Sequence, residues 1–192
     1  TGARFKHSGE PLMEGCPCPA CALGLTRGYL RYLARSREIT GMRDLLDQSL
    51  EQGAIGMSSG LFYAVANAAS TDEVAEVAKP LGKWGGVYTA HMRDEGENIL
   101  PAMDETFEIG RRAGASIIVS HHKCSGRTNF GRMAETLPKF SEAMKRQQIA
   151  FDVYPYIAGS TILRTDMLER ADKVLISWSD KVPGVSGRDL AD

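Results

Sequence analysis

Between residues 42 and 153 the apolar positions switch repeatedly between helical and strand spacing. MRDLLDQSLEQ (42–52) has helical spacing and leads through Gly53 into a short apolar run, Ala54-Ile55-Gly56-Met57-Ser58, read as a strand. Ser59-Gly60-Leu61-Phe62-Tyr63 then reads as a Gly-rich turn. Thr71 is placed to cap a helix with Asp72 and Glu73 in its first turn and Val74, Val77 and Ala78 on its apolar face, running to about Leu81. Val87-Tyr88-Thr89-Ala90 is a strand ending on His91, and 98–113 is an amphipathic helix carrying Ile99, Met103, Phe107 and Ile109. Ser116-Ile117-Ile118-Val119 is a second buried-type strand that leads into His121-His122. A helix over 132–147 and a strand over 149–153, followed by Tyr154-Pro155-Tyr156, complete the pattern.

The strand centres, Ile55, Tyr88, Ile118 and Phe151, lie about 30 to 33 residues apart, the length of one strand, one helix and two loops. Four such units argue an α/β chain with parallel strands, part of a (β/α)₈ barrel. A doubly wound open sheet is the alternative, but no Gly-rich phosphate fingerprint supports it. In a parallel arrangement the C-terminal ends of neighbouring strands share one face, which is the catalytic face of a barrel. His91 and His121 would then stand side by side, and neutral imidazole is a good zinc ligand. Lys123 would point the same way and meet a substrate carboxylate. Tyr63 and Tyr154 would bring hydroxyls to the same pocket, and Asp94 and Glu95 would orient an imidazole. His122 should face the other side of its strand, because side chains alternate. Cys124 reads as a small buried thiol.

Residues 1–24 show no hydrophobic period and are rich in Gly, Pro and Cys. Cys16, Cys18 and Cys21 are spaced to direct three thiolates at one zinc ion, and such crowding suits metal binding in a reducing compartment better than a disulfide framework. A helix follows over 25–38, with Leu25, Tyr29, Leu30 and Leu33 on one face and Arg27, Arg31 and Arg35 forming a solvated stripe. The expected division is a zinc-ribbon-like segment plus helix over 1–43 and a barrel portion over 44–192. With 192 residues, a formal net charge of -1 and 43% hydrophobic content, the chain fits a soluble domain with a real core. The charge gives no argument for nucleic acid, and no apolar run reaches membrane-spanning length. No signal peptide is visible, so the expected location is cytoplasmic.

Two resemblances sharpen these readings. AIGMSSGLFY (54–63), YTAHMRDEGENILPAMDETFEIGRRAG (88–114), VSHHKCSGRTNFGR (119–132), DVYPYIAGSTIL (152–163) and VLISWSDKVPGVSGRDL (174–190) resemble the N-acyl-D-amino-acid deacylases of the metal-dependent amidohydrolase superfamily. The resemblance implies zinc-dependent hydrolysis of an N-acyl-D-amino acid, with His91 and His121 as metal ligands of the fifth and sixth barrel strands. It makes Lys123, Tyr154 and Tyr63 substrate contacts. The family's His-x-His pair, bridging cysteine and catalytic aspartate have no counterpart in the 192 residues, so impaired activity or an inactive remnant is expected, with open barrel edges available for self-association. Cys16, Cys18 and Cys21 followed by TRGYLRYLARSREITGMR resemble the zinc-binding C-terminal region of tRNA-guanine transglycosylases. That second resemblance implies a tRNA-related zinc module as the alternative function. The histidine that completes the site in that family falls here near Asp47-Gln48, where there is none.

Overall fold

The computed structural model of the chain describes residues 38–161 and 171–191, together with Leu25, Thr26, Tyr29 and Leu168. Cys16, Cys18, Cys21 and most of the 25–38 helix, with its arginine stripe, lie outside the described residues. Helix α1 is Ile39–Glu51, three residues earlier at its start than the apolar spacing implies, and it runs through residues 43 and 44 without a break. Gly53, at φ 100°, turns the chain after it.

Strands β1 (Gly56–Gly60), β2 (Val87–His91), β3 (Ser116–Val119) and β4 (Ile149–Phe151) form one sheet in the order β1-β2-β3-β4, and every pair is parallel. The first strand corrects the expected 54–58. Ile55 precedes it and is 87% exposed, and Ser59 and Gly60, expected in the turn, belong to the ladder. The reason is steric. A Cβ at residue 56 would sit 2.1 Å from the Val87 carbonyl oxygen, so the closest approach of β1 to β2 needs glycine there. The last strand also stops earlier than expected, at Phe151.

Helices connect the strands in sequence. The region expected as one helix over 71–81 is two, α2 (Thr71–Ala78) and α3 (Pro80–Trp84), because Pro80 has no N–H to continue the first. Ser70, not Thr71, is the N-cap; its side chain accepts from the Glu73 amide at 3.2 Å. Thr71 instead donates to Glu105 Oε1 at 2.8 Å. Helix α4 (Ile99–Ala113) ends on Gly114 in the left-handed region at φ 66°, and α5 (Met133–Met144) is shorter than the expected 132–147.

The core lies between one face of the sheet and the helices. Tyr88, Ala90, Ile117 and Val119 point into it from β2 and β3 and meet Leu81, Ile99, Met103, Ile109 and Phe140. Each large side chain so buried contributes about 1.5–3 kcal/mol. Burial pushes the Tyr88 hydroxyl up to about 12, and the Ser59 hydroxyl 2.6 Å away satisfies it. The other face carries Ser58, Thr89, Ile118 and Ala150 at matched register, and Ser58 and Ala150 are exposed. No described helix is long and apolar enough to cross a membrane.

Candidate metal and substrate site

The strand period puts His91 and the Ser120–Lys123 turn at one rim. His91 closes β2, and the Ser120 amide bonds to the Ala90 carbonyl at 3.0 Å, which carries the ladder one residue past β3. The chain then kinks at His121. This is the one non-glycine residue with positive φ among the described residues, at 43°. Asp152, just after β4, holds that conformation. Its Oδ1 accepts from the His121 amide at 2.7 Å and its carbonyl accepts from the His122 amide at 2.8 Å. The kink sends the two histidines to opposite sides, as alternation implied.

His122 goes to the core, 3% exposed, with its Nε2 2.9 Å from the Thr136 hydroxyl and its ring against Phe140 and Phe151. Burial, reinforced by Lys123, holds its pKa down to about 4, so it is neutral. His121 stays at the rim. Its ring lies 4.5 Å from that of His91, centroid to centroid, and His91 Nδ1 and His121 Nε2 are in hydrogen-bond contact. Burial first, and then His121, hold His91 below the ordinary histidine value, which favours the neutral, ligating form.

The other expected residues surround this pair. The Tyr63 ring is 5.8 Å from His91 and the Tyr154 ring 6.5 Å from His121. Burial, and then Glu95, push the Tyr154 hydroxyl up, so it stays protonated at neutral pH. Lys123 Nζ lies 5.6 Å from the Tyr154 ring centroid. Its ammonium also pairs with Glu95 Oε2 at 2.6 Å and donates to the His121 carbonyl at 3.0 Å. Glu95 is 5% exposed and reaches His121 on the neighbouring loop, rather than His91 on its own. Asp94 turns back to its own loop and accepts from the Gly96 amide at 2.5 Å. Cys124 is half-buried rather than buried, with its thiol pushed up by burial.

Three positioning contacts have no periodic signature in the sequence. Asp152 is one. Arg93 is the second: it pairs with Glu105 and donates to the Asn67 and Ala69 carbonyls, tying the loop that carries Tyr63 to α4. The third is Asn67, whose amide donates to the Leu61 carbonyl at 2.9 Å across the same loop. Polar residues in the loops were the available signal, but side-chain to backbone contacts depend on three-dimensional proximity.

Two convergent imidazoles, one at least held neutral, with a buried carboxylate behind them, fit part of a zinc centre. They supply two of the roughly four ligands a tetrahedral site takes. Among the described residues no group of three or more His, Cys, Asp or Glu side chains is arranged to hold a metal ion.

The chain as a whole is similar to known proteins. The chain is 48% identical over 161 residues to the D-aminoacylase of Alcaligenes xylosoxydans xylosoxydans, covering 84% of this chain and 33% of that protein. A crystal structure of a D-aminoacylase, described as defining a novel subset of amidohydrolases, superposes with a TM-score of 0.77 at 50% identity, over 81% of this chain and 33% of the other. The chain is a homologue of the D-aminoacylases. The N-acyl-D-glutamate deacylase of Bordetella bronchiseptica, complexed with zinc and a phosphonate mimic of the tetrahedral intermediate, superposes equally well, with a TM-score of 0.77 at 37% identity, over 81% of this chain and 33% of that one. The chain thus spans about a third of the length of the relatives it matches. A weaker, partial match joins it to a queuine tRNA-ribosyltransferase of Lachnoclostridium phytofermentans, 38% identical over 48 residues, covering 25% of this chain and 12% of the other. No family model matches the chain.

Proposed function

We infer that this chain is the central arc of a (β/α)₈ barrel in a metal-dependent hydrolase that splits the amide bond of N-acyl-D-amino acids. The observation that carries the reading is the His91–His121 pair, with ring centroids 4.5 Å apart, at the C-terminal rim of parallel strands homologous to D-aminoacylase. The half-uncovered sheet face supports the barrel, because parallel sheets are normally covered on both sides. When bound, zinc would polarise the amide carbonyl and lower the pKa of its water. His91 and His121 would hold it as neutral imidazoles. Lys123 would meet the substrate carboxylate, and the Tyr63 and Tyr154 hydroxyls would border the pocket as hydrogen-bond donors. The Arg93 clamp would keep the Tyr63 loop in place. The zinc-ribbon-like segment expected over 1–43 would in this reading end before α1, which runs unbroken through residues 43 and 44, and would take Cys16, Cys18 and Cys21 as its thiolates.

Among the described residues only His91 and His121 are placed as metal ligands in this reading, so the chain alone should turn over little N-acetyl-D-methionine. Groups acting as a unit lose most of their rate enhancement when partners are missing. The test replaces the matching third of a D-aminoacylase with residues 42–192. The chimera should hydrolyse N-acetyl-D-methionine in preference to its L-enantiomer and lose at least about a hundredfold in kcat/KM on His121→Ala. A folded, zinc-loaded chimera with no D-selective turnover would overturn the reading. The queuine tRNA-ribosyltransferase match supports a second reading for the N-terminal segment alone, a tRNA-related zinc module. Zinc that survives His91→Ala and His121→Ala but is lost on Cys18→Ser would favour it.

A further inference from the structure

Residues 92–98 leave β2 as neither helix nor strand, yet they carry the buried Glu95 side chain into the site. A segment without a hydrogen-bond ladder takes its conformation from other contacts. Arg93 secures its start against α4 through Glu105. Its far end is gripped from the next unit of the chain, by Arg132. Arg132 Nη1 donates to the Gly96 and Glu97 carbonyls, each at 3.0 Å, and to Asn129 Oδ1 at 3.2 Å. Its Nε and Nη2 fork onto the Glu135 carboxylate at 3.1 and 3.2 Å. Its own carbonyl accepts the Thr136 amide at 3.1 Å, so the guanidinium is carried by the first turn of α5, the helix that Phe140 seats in the core. Around this clamp the two rim loops are joined directly. The Ser125 amide donates to the Glu95 carbonyl at 2.7 Å, and the buried Asn129 side chain donates to the Ser125 carbonyl at 2.8 Å. A Cβ at Gly96 would lie 3.5 Å from both Asn129 Nδ2 and the Ser125 carbonyl oxygen, so the loops touch there.

Glu95 sits between the two guanidinium clamps. Its Oε2 lies 2.6 Å from Lys123 Nζ, while Lys123 keeps 31% of its side chain exposed at the rim. A buried carboxylate needs its partner, and backbone held on both sides leaves it few directions in which to look for another. The ammonium is thus aimed by a carboxylate that does not move. We propose that Arg132 is a positioning residue for the substrate-carboxylate contact. By holding the Gly96 and Glu97 carbonyls it fixes Glu95, and Glu95 fixes the Lys123 ammonium beside the Tyr154 ring. Arg132 acts through the loop backbone, since its hydrogen bonds go to Gly96, Glu97, Asn129 and Glu135. The substrate role of Lys123 rests on the deacylase reading; the line of contacts from Arg132 to Lys123 does not.

Two measurements on the full chain test this. The first follows binding of N-acetyl-D-methionine and of its carboxamide by NMR titration in the presence of zinc. An aimed Lys123 should favour the acid by about tenfold or more, the effect of one hydrogen bond to a charged group. Arg132→Met, checked for folding by circular dichroism, should reduce that ratio roughly threefold or more. A clamp that only holds the fold together would weaken both ligands alike, so an unchanged ratio in folded Arg132→Met would overturn the proposal. A wild-type chain that shows no preference for the acid, or binds neither compound, would count against the deacylase reading instead. The second measurement needs no ligand and decides the role of Arg132 in either case. In urea unfolding, Lys123→Met leaves Glu95 buried and unpaired for as long as Arg132 holds the loop. Once Arg132→Met releases the loop the carboxylate can turn to water, and losing Lys123 should matter less. The unfolding constant of the double variant should then fall below the product of the two separate effects by about twofold or more. Additive effects would overturn the proposal. Where Arg132→Met does not fold, Arg132→Gln, which keeps a polar group at the start of α5 but is too short to reach the loop, enters the same cycle with the same two outcomes.

Discussion

The Glu105 carboxyl shows how one residue ties the site's scaffold together. Burial alone would raise its pKa, but hydrogen bonds from Arg93 and Thr71, and the Arg93 charge, outweigh it and hold the carboxyl below its ordinary value. A carboxyl depressed in the folded state contributes stability above its unfolded pKa of about 4.5, and that stability is lost as pH falls through the lower folded value. Glu105→Gln should therefore cost roughly 1.5–3 kcal/mol at pH 7, the range for hydrogen bonds to charged groups, and should flatten the acid side of the stability curve. Urea unfolding of both chains between pH 3 and 7 checks it; parallel curves would contradict it. At this scale the sequence was legible where a residue closes a strand, as His91 does, because strand spacing alone puts such residues on a rim. Asp152 and Arg93 were not legible as positioning residues. Their partners are backbone groups of His121, Asn67 and Ala69, which only the folded chain brings near.

Among the elements, strand and helix identity followed from apolar spacing, while boundaries followed from contacts that spacing does not encode. The first strand begins at Gly56 because of the Val87 carbonyl, and the 71–81 helix divides at Pro80. Gly56→Ala would push a methyl into backbone that cannot yield as a side chain would. It should destabilise the chain by about 1–3 kcal/mol or more through separation of β1 from β2. Amide hydrogen exchange should show the loss of protection concentrated in β1, and protection unchanged at 56–60 would contradict the steric account. At the other end of the sheet, Phe140 of α5 is 1% exposed and packs 4.4 Å from the Phe151 ring of β4 and 4.8 Å from that of His122, centroid to centroid. Phe140→Ala should cost about 3–5 kcal/mol in denaturant unfolding. A cost below 1 kcal/mol would mean that α5 does not hold β4 in place.

For the whole molecule, four parallel strands with one face exposed at Ser58 and Ala150 and no further strand beside β1 or β4 among the described residues form an arc, not a closed structure. Parallel order and the shared rim were legible from the 30-residue period, because strand–helix–strand connections of that length return the chain in the same direction. That the four strands match only part of a larger relative was legible only through the family motifs, since periodicity speaks only for the residues that carry it. Unpaired edges are templates for association, so sedimentation velocity should show concentration-dependent self-association of the 192-residue chain. A monomer at all accessible concentrations would contradict that. The central claim is that His91 and His121 share one metal ion. Anomalous diffraction at the zinc edge from zinc-soaked crystals of the chain tests it most directly. A peak should lie about 2.1 Å from one ring nitrogen of each histidine and be absent in His121→Ala. Zinc bound elsewhere with none between the two rings would contradict it.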